Sequence, residues 1–591
     1  MATVYKERAE RFRQKAGQLK QQLGWLSFAR LLSFLAFVFL LYQLTQKGSG
    51  GIVIIAAATF AAFLYLVKWY GKLQQKRQYF SALADCNEKE ERFLATNKLP
   101  YDTGKEYEDP HHPYSYDLDL FSEDGLFSYL NRCSTSFGKE ALAQDLLAPD
   151  SQGIKERQAA VKELAGAIDF RQELYAHGSL HQTKKKDLER LLHWIDGDTK
   201  LINTLLYYLL MVFPLCTMGS LIYYAVTESE TAFSLFTKLF VVNLIIAFSF
   251  SKKITSQLSV STAVTKILQH YSHQLRLIEK QGFQGSLLKQ YQQALNKNGI
   301  AASHLIGQLA SLFNYLETVV NLVVSLLLNG LFLFHVHILY RLGHWKEQHA
   351  SEIRDWLRII GKTESLSSFG NLSYNNPSFC FPEVTEQPAF RAKDLGHILV
   401  RKEKRVCNDV SFSEQKFVIL TGSNMSGKST FLRTLGTNLV LAKAGSAVCA
   451  RSFEFYPFDV FVSMRITDSL QDSESLFYAE LKRLQSIIKA LEEDRHTFVI
   501  LDEILRGTNS NDKRNGTIGL IKKMAGFDTF GIIATHDVVV ADLIKEYPGF
   551  IANKAFESAI INDELLFDYK LKDGVCHTLS ASYLMKKMEI I

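Results

Sequence analysis

Hydrophobic residues in the first half of the chain come in blocks rather than at a helix or strand period. Residues 31–44 are apolar apart from Ser33 and Gln43, and after the turn Lys47-Gly-Ser-Gly-Gly51 a second uncharged run covers 52–67. Two such runs around a glycine-rich turn predict a helical hairpin. A second pair follows: residues 201–227 carry no charge, Glu228-Ser-Glu230 makes an acidic turn, and 231–251 contains only Lys238. Each run approaches the ~20 residues that span a hydrocarbon core. A fifth uncharged run, 318–340, holds Asn321, Asn329, His335 and His337 and has no partner run, so it is expected to be a buried helix. Beyond residue 380 short apolar runs at 417–421, 497–501 and 530–535 predict the strands of an α/β domain.

Charge gives the hairpins a direction. Lys6, Arg8, Arg11, Arg13, Lys15 and Lys20 precede the first run, Lys68, Lys72, Lys76 and Arg77 follow the second, and Lys252 and Lys253 close the second hairpin. Basic flanks stay in the cytoplasm, so both tips are expected outside and everything else inside. Two buried hairpins in a large soluble core remain the alternative on sequence alone. A fifth crossing would carry the C-terminal half to the opposite side from residues 70–200, a further reason to read 318–340 as buried.

Composition changes the picture little. The 591 residues allow three or four domains, the 22% charged and 47% hydrophobic fractions are ordinary, and a net charge of +6 does not announce a nucleic-acid binder. Seven scattered cysteines without a Cys-x-x-Cys spacing argue against a disulfide framework or zinc module and fit a reducing compartment. The first 24 residues are polar and basic, and a second apolar run follows the first, so no cleavable signal peptide is expected.

The chemistry concentrates in the last third. The run 417–421 leads into Gly422, Ser423, Asn424, Met425, Ser426, Gly427, Lys428, Ser429 and Thr430, followed by a helical pattern. This is G-x-x-x-x-G-K-S between strand and helix, the phosphate loop of an ATP site. Its amides would cradle phosphate, Lys428 would reach the outer phosphates, and Ser429 would ligate Mg²⁺. The run 497–501 ends in Asp502 and Glu503: the first would hold Mg²⁺ and the second would orient and activate the attacking water, as in ABC-type ATPases. The run 530–535 ends in His536, where that class places a γ-phosphate sensor.

These residues resemble one family. Thr421-Gly-Ser-Asn-Met-Ser-Gly-Lys-Ser-Thr430 is similar to the phosphate loop of the MutS DNA mismatch-repair family, differing mainly at Ser423 and Ser426. Ser475-Leu-Phe-Tyr-Ala-Glu480, Asp502-Glu-Ile-Leu-Arg-Gly-Thr508 and Ala534-Thr-His536 resemble three further MutS segments in order and spacing. More loosely, 129–138 with 157–161 resembles the start of the MutS core domain, and 364–369 through 381–382 its end. The resemblance implies ATPase activity in a head-to-tail homodimer, with Ser475 offered to the partner's phosphates. It also implies DNA as a partner, and Lys252, Lys253, Lys266, Arg276, Lys280, Lys289 and Lys297 against the single acid Glu279 in 251–300 are compatible with sequence-independent phosphate contacts. The first 115 residues leave no room for the family's mismatch-binding and connector domains, so mismatch reading is not expected. A membrane-tethered ATP switch acting on protein or lipid is the alternative. An ABC transporter is disfavoured by about four spans and no Leu-Ser-Gly-Gly-Gln signature.

The expected architecture is α plus α/β, multi-pass in the membrane with its large domains in the cytoplasm. A basic N-terminus (1–26), a transmembrane hairpin (27–69) and a linker (70–115) would precede an all-α MutS-like core and lever domain (116–380) with a second transmembrane hairpin inserted at about 201–251. An ABC-class P-loop domain (381–591) would follow.

Overall fold

A computed structural model of the chain describes residues 2–96, 98–180, 185–297, 299–423, 425–465, 476–493, 495–561, 564–576 and 590. Helices α1 (Ala2–Lys47) and α2 (Gly50–Thr96) form one long antiparallel pair. The residues expected as a basic tail and a linker are therefore largely helical. In α1, Tyr5, Ala9, Phe12, Leu19, Leu23 and Leu26 are buried at helical spacing. In α2, Leu83, Asn87, Glu90 and Phe93 repeat the same spacing against the core, a stripe that the surrounding charge conceals in the sequence.

The core is helical: α3 (Ser136–Leu147), α4 (Ile154–Gly166), α5 (Ile168–Ser179), α6 (Lys185–Asp196), α7 (Val212–Thr227), α8 (Glu230–Ser249), α9 (Ser251–Lys280), α10 (Ala302–Glu317), α11 (Leu322–Phe332) and α12 (Phe334–Asn375). Helix α12 packs along α3, α4 and α10. Glu364 on α12 accepts bonds from the backbone N–H groups of Ser134 (3.2 Å) and Thr135 (3.1 Å) and from both hydroxyls. The two ends of the core suggested by sequence thus meet in one buried cluster. Gly361 allows the approach, since a Cβ there would lie 2.5 Å from the Phe137 carbonyl oxygen.

Helices within Ala2–Gln46, Gly50–Thr96, Thr204–Thr227 and Glu230–Ser249 are long and apolar enough to cross a membrane. Their apolar faces are bare: Leu31, Phe39, Ile54, Leu215, Val226 and Phe248 are all exposed.

The run 318–340 is not the single buried helix expected. It breaks at Asn321, whose side chain caps the Val324 N–H, and again at Leu333, which has φ 50°. The stretch through Val320 and α11 meet at 111°. Leu322 is 71% exposed, whereas His335, Val336 and Leu339 beyond the second break are buried. Polar groups fix the bend: the Asn329 side chain accepts the His335 N–H (3.0 Å), and Asn243 of α8 donates to the Gly330 carbonyl (2.8 Å) and to Thr217 of α7 (2.9 Å). Helix α11 therefore packs against the second hairpin.

The C-terminal domain contains β1 (Phe390–Leu395), β2 (Asn408–Phe412), β3 (Phe417–Gly422), α13 (Lys428–Ala444), β4 (Ser452–Phe455), β5 (Asp459–Ser463), α14 (Leu476–Glu492), β6 (Thr497–Asp502), α15 (Ser510–Gly526), β7 (Phe530–Thr535), β8 (Ile551–Ile561) and β9 (Glu564–Asp573). Its main sheet has the order β9-β8-β3-β7-β6-β5, parallel except for β9. Strands β3, β6 and β7 are buried along their whole length, as continuous apolar runs dictate. The register pairs Thr421 with Thr535 and Ala534 with Asp502, so the three chemistry-bearing strand ends lie side by side. Core and sheet are tied through Asp117, which accepts from the N–H groups of Met464 and Arg465 (2.8 Å each) and from Arg483 (3.0 Å).

Candidate nucleotide site

The loop after β3 turns through Met425 (φ 66°) and Gly427 (φ 99°) into the N-terminus of α13. At Gly422 a Cβ would stand 2.8 Å from the Ser426 hydroxyl and 2.9 Å from the Phe556 carbonyl, so only glycine lets the loop close here. Lys428 is buried and donates to the carbonyls of Gly422 (2.8 Å) and Ser423 (3.0 Å). Burial lowers its pKa, opposed by the nearby Glu503 and Asp502 carboxylates. The hydroxyls of Ser423 and Ser426 are buried without a hydrogen-bond partner, in a loop whose amides and helix terminus already favour an anion. A phosphate group fits that need. The Ser429 hydroxyl donates to Asp502 at 2.7 Å, and this pair offers the hard oxygen ligands that Mg²⁺ takes.

Glu503 sits in the left-handed region at φ 48°, its N–H bonded to the Ala534 carbonyl of β7 (3.0 Å). That pins its side chain beside His536, whose Nε2 lies 2.5 Å from the carboxylate. The imidazole contact is the main reason the Glu503 pKa falls to about 2, with burial opposing it and Arg506 and Lys428 adding to the drop. Lys428 Nζ stands 3.4 Å from the same imidazole nitrogen. Lys428, Ser429, Asp502, Glu503 and His536 are therefore one contiguous cluster, although the sequence spreads them over more than a hundred positions.

The positions of these groups are also where known proteins align. The family description "MutS domain III" matches residues 115–493 and "MutS domain V" matches residues 418–589. The chain belongs to the MutS family. A DNA mismatch repair protein MutS from Thermotoga petrophila is 32% identical over 224 residues, 37% of this chain and 28% of that protein. The DNA mismatch repair protein msh3 of Aspergillus oryzae is 26% identical over 235 residues, 38% of this chain and 21% of that one. Human MutS protein homolog 4 is 26% identical over 267 residues, covering 43% and 26%. The matched part thus spans less than a third of these relatives' length.

In this MutS-family chain two expected site residues, Asn424 and Ser475, fall outside the described residues. Glu480 has a part that sequence reasoning did not assign. Its buried carboxylate accepts the N–H groups of Leu505 (2.7 Å) and Arg506 (3.1 Å), holding the loop after Glu503 in place, with Leu505 at φ 62°. Burial raises its pKa against those donors. Gly507 completes the fit, because a Cβ there would lie 2.8 Å from that of Phe477. A cavity of about 540 Å³ extends from the phosphate loop past His397, Val400 and Arg405 to Phe556 and Tyr569. These residues come from a connection after β1 and from the interiors of β8 and β9 with no spacing in common, so no sequence signal marked them.

Proposed function

We propose that this chain is a membrane-anchored ATPase that works as a homodimer, its ATP cycle moving the helical core. The observation that carries the reading is the cluster of Lys428, Ser429, Asp502, Glu503 and His536 below two unpartnered loop hydroxyls. Lys428 and the loop amides would bind the phosphates, with Asn424, Met425 and Thr430 completing the loop and Ser475 serving the partner's site. Mg²⁺ held by Ser429 and Asp502 would neutralise the charge that develops on the phosphoryl oxygens. Glu503, ionised at any physiological pH, would take the proton of the attacking water, and His536 would hold that carboxylate in place. Two copies closing on nucleotide would pull on the core through the Asp117 and Arg483 junction. The test is Mg²⁺-dependent ATP hydrolysis by the purified chain, lost in Glu503→Gln while nucleotide binding is kept.

The relatives' names point to DNA as partner, and we read any contact as sequence-independent and without mismatch preference. Part of the basic excess of 251–300 is already engaged, however. Lys253 donates to the Leu201 carbonyl (2.9 Å) and Lys297 pairs with Glu352 (2.7 Å), so neither is free for DNA phosphates. The bare apolar hairpins favour the second reading, an ATP-driven switch acting at the membrane on lipid or protein. ATP hydrolysis stimulated by duplex DNA supports the first; stimulation by lipid alone supports the second.

A further inference from the structure

A cavity of about 670 Å³ opens between α9, α10 and α12, sharing no lining residue with the nucleotide site. Its volume is that of an ordinary ligand pocket. Arg276 and Lys280 enter from α9 and Arg341 from α12, all three exposed, and none makes an ion pair or side-chain hydrogen bond among the described residues. His273, His304 and His344 also line the rim, the Nε2 of His304 accepting from Gln308 (2.9 Å) and that of His344 from Gln348 (3.0 Å). The single acid in the lining, Glu279, is already satisfied by the N–H (2.8 Å) and hydroxyl (2.5 Å) of Ser303. The lining therefore carries three basic side chains against one carboxylate, a net positive charge.

Trp345 closes part of the wall, 6% exposed, its indole N–H buried. Location narrows the ligand. One end of the cavity is formed by Tyr315 and Tyr340. Tyr340 stacks on Tyr207 at 3.8 Å, and Tyr207 lies in the helix Thr204–Leu210 that opens the second hairpin. Tyr315 is three residues from the turn that leads into α11. Tyrosines at the foot of an apolar hairpin are where a membrane surface would lie.

We propose that this cavity binds the phosphate headgroup of an anionic phospholipid. Arg276, Lys280 and Arg341 meet the phosphate, and the acyl chains leave past Tyr315 and Tyr340 toward the hairpin. The assignment rests on the membrane reading of the hairpins. A recess between packed helices admits a headgroup and excludes the body of a DNA duplex. Because α12 also carries Glu364 and runs to the edge of the ATPase domain, an occupied cavity joins the lipid surface to the element that nucleotide would move.

The experiment uses the full chain. Membranes are first washed with high salt; release of the protein into the supernatant overturns both the membrane reading and this proposal. The retained protein is then placed in phosphatidylcholine nanodiscs containing a minor fraction of phosphatidylglycerol, and the lipids that stay bound after transfer to detergent are measured by mass spectrometry. Phosphatidylglycerol is expected to be enriched on the parent, with more than about tenfold less on Arg276→Gln/Lys280→Gln/Arg341→Gln, since each basic group near an anionic surface contributes about 1 kcal/mol. Lys68→Gln/Lys72→Gln/Lys76→Gln removes the same charge beside the first hairpin and should retain the lipid. Nucleotide binding by each variant reports folding. If the triple variant misfolds, the double variant Arg276→Gln/Arg341→Gln decides: a several-fold loss supports the site and no loss overturns it. Equal retention by parent and triple variant on a membrane-bound protein overturns the cavity assignment alone. Displacement of the lipid by inorganic phosphate at equal concentration shows a free-phosphate site, and displacement by a short duplex shows a nucleic-acid site; either overturns the lipid proposal.

Discussion

Glu503 combines an unfavourable backbone conformation with a neighbour that holds its carboxylate ionised, which fixes its oxygens at one point while making it a weaker base until that neighbour turns to a bound phosphate. Glu503→Gln should bind ATP and Mg²⁺ as the parent does and hydrolyse it ~10²–10⁴-fold more slowly, measured as single-turnover phosphate release. Lys428→Ala should instead weaken nucleotide binding, read by titration with a fluorescent analogue. The Glu503 pKa of about 2 lies below the ordinary 4.5, so its contribution to stability is complete above pH 4.5 and disappears as pH falls through 2. His536→Ala should therefore lower the melting temperature at pH 7, and that difference should shrink as the pH is taken down through 4. Glu480→Ala leaves two backbone N–H groups without their acceptor, a loss of ~1–3 kcal/mol, and should slow hydrolysis with little change in nucleotide affinity. The phosphate loop, Asp502 and Glu503 were legible in the sequence because their chemistry is carried by contiguous residues at a strand end. His397 and Tyr569 were not, because only the fold brings them to the same cavity.

Among the elements, the strands β3, β6 and β7 could be read directly: a fully buried parallel strand is a continuous apolar run, and each leads into candidate site residues. Helix α2 beyond residue 70 was misread as a linker because its core-facing stripe includes Asn87 and Glu90, polar groups that the fold satisfies. Asn87 exchanges bonds with Gln172 (2.8 and 3.0 Å), and Glu90 pairs with Arg132 (2.5 Å). The run 318–340 was misread for a related reason: Asn321 and Asn329, which look like interruptions in a helix, cap and brace a bend. Helix packing leaves its own test at Gly361. Gly361→Ala pushes a methyl against the Phe137 carbonyl, and overpacking of this kind costs ~1–3 kcal/mol, so a lower melting temperature is expected with the nucleotide site untouched.

For the molecule as a whole, the proposed membrane reading, with its basic flanks and a cytoplasmic ATP supply, implies one topology. In a cysteine-free background, single cysteines at Ser49 and Ser229, in the two hairpin turns, should react with an impermeant thiol reagent on intact cells, and one at the exposed Ser411 of β2 only after lysis. Labelling of Ser411 from outside would mean that the bent segment around α11 crosses the membrane. The stretch through Val320 and α11, bent at 111°, would make a fifth span if it crossed, and the Ser411 labelling distinguishes the two counts.

The account joins two claims, anchoring and ATP hydrolysis at Glu503, and one measurement addresses them together. Membranes from cells producing the chain, stripped of peripheral protein by high salt, are assayed for Mg²⁺-dependent ATP hydrolysis alongside membranes carrying equal amounts of Glu503→Gln. Hydrolysis that sediments with the parent membranes and falls at least ~10²-fold in the variant is the result predicted. Activity recovered in the supernatant, or equal rates on the two sets of membranes, would contradict it.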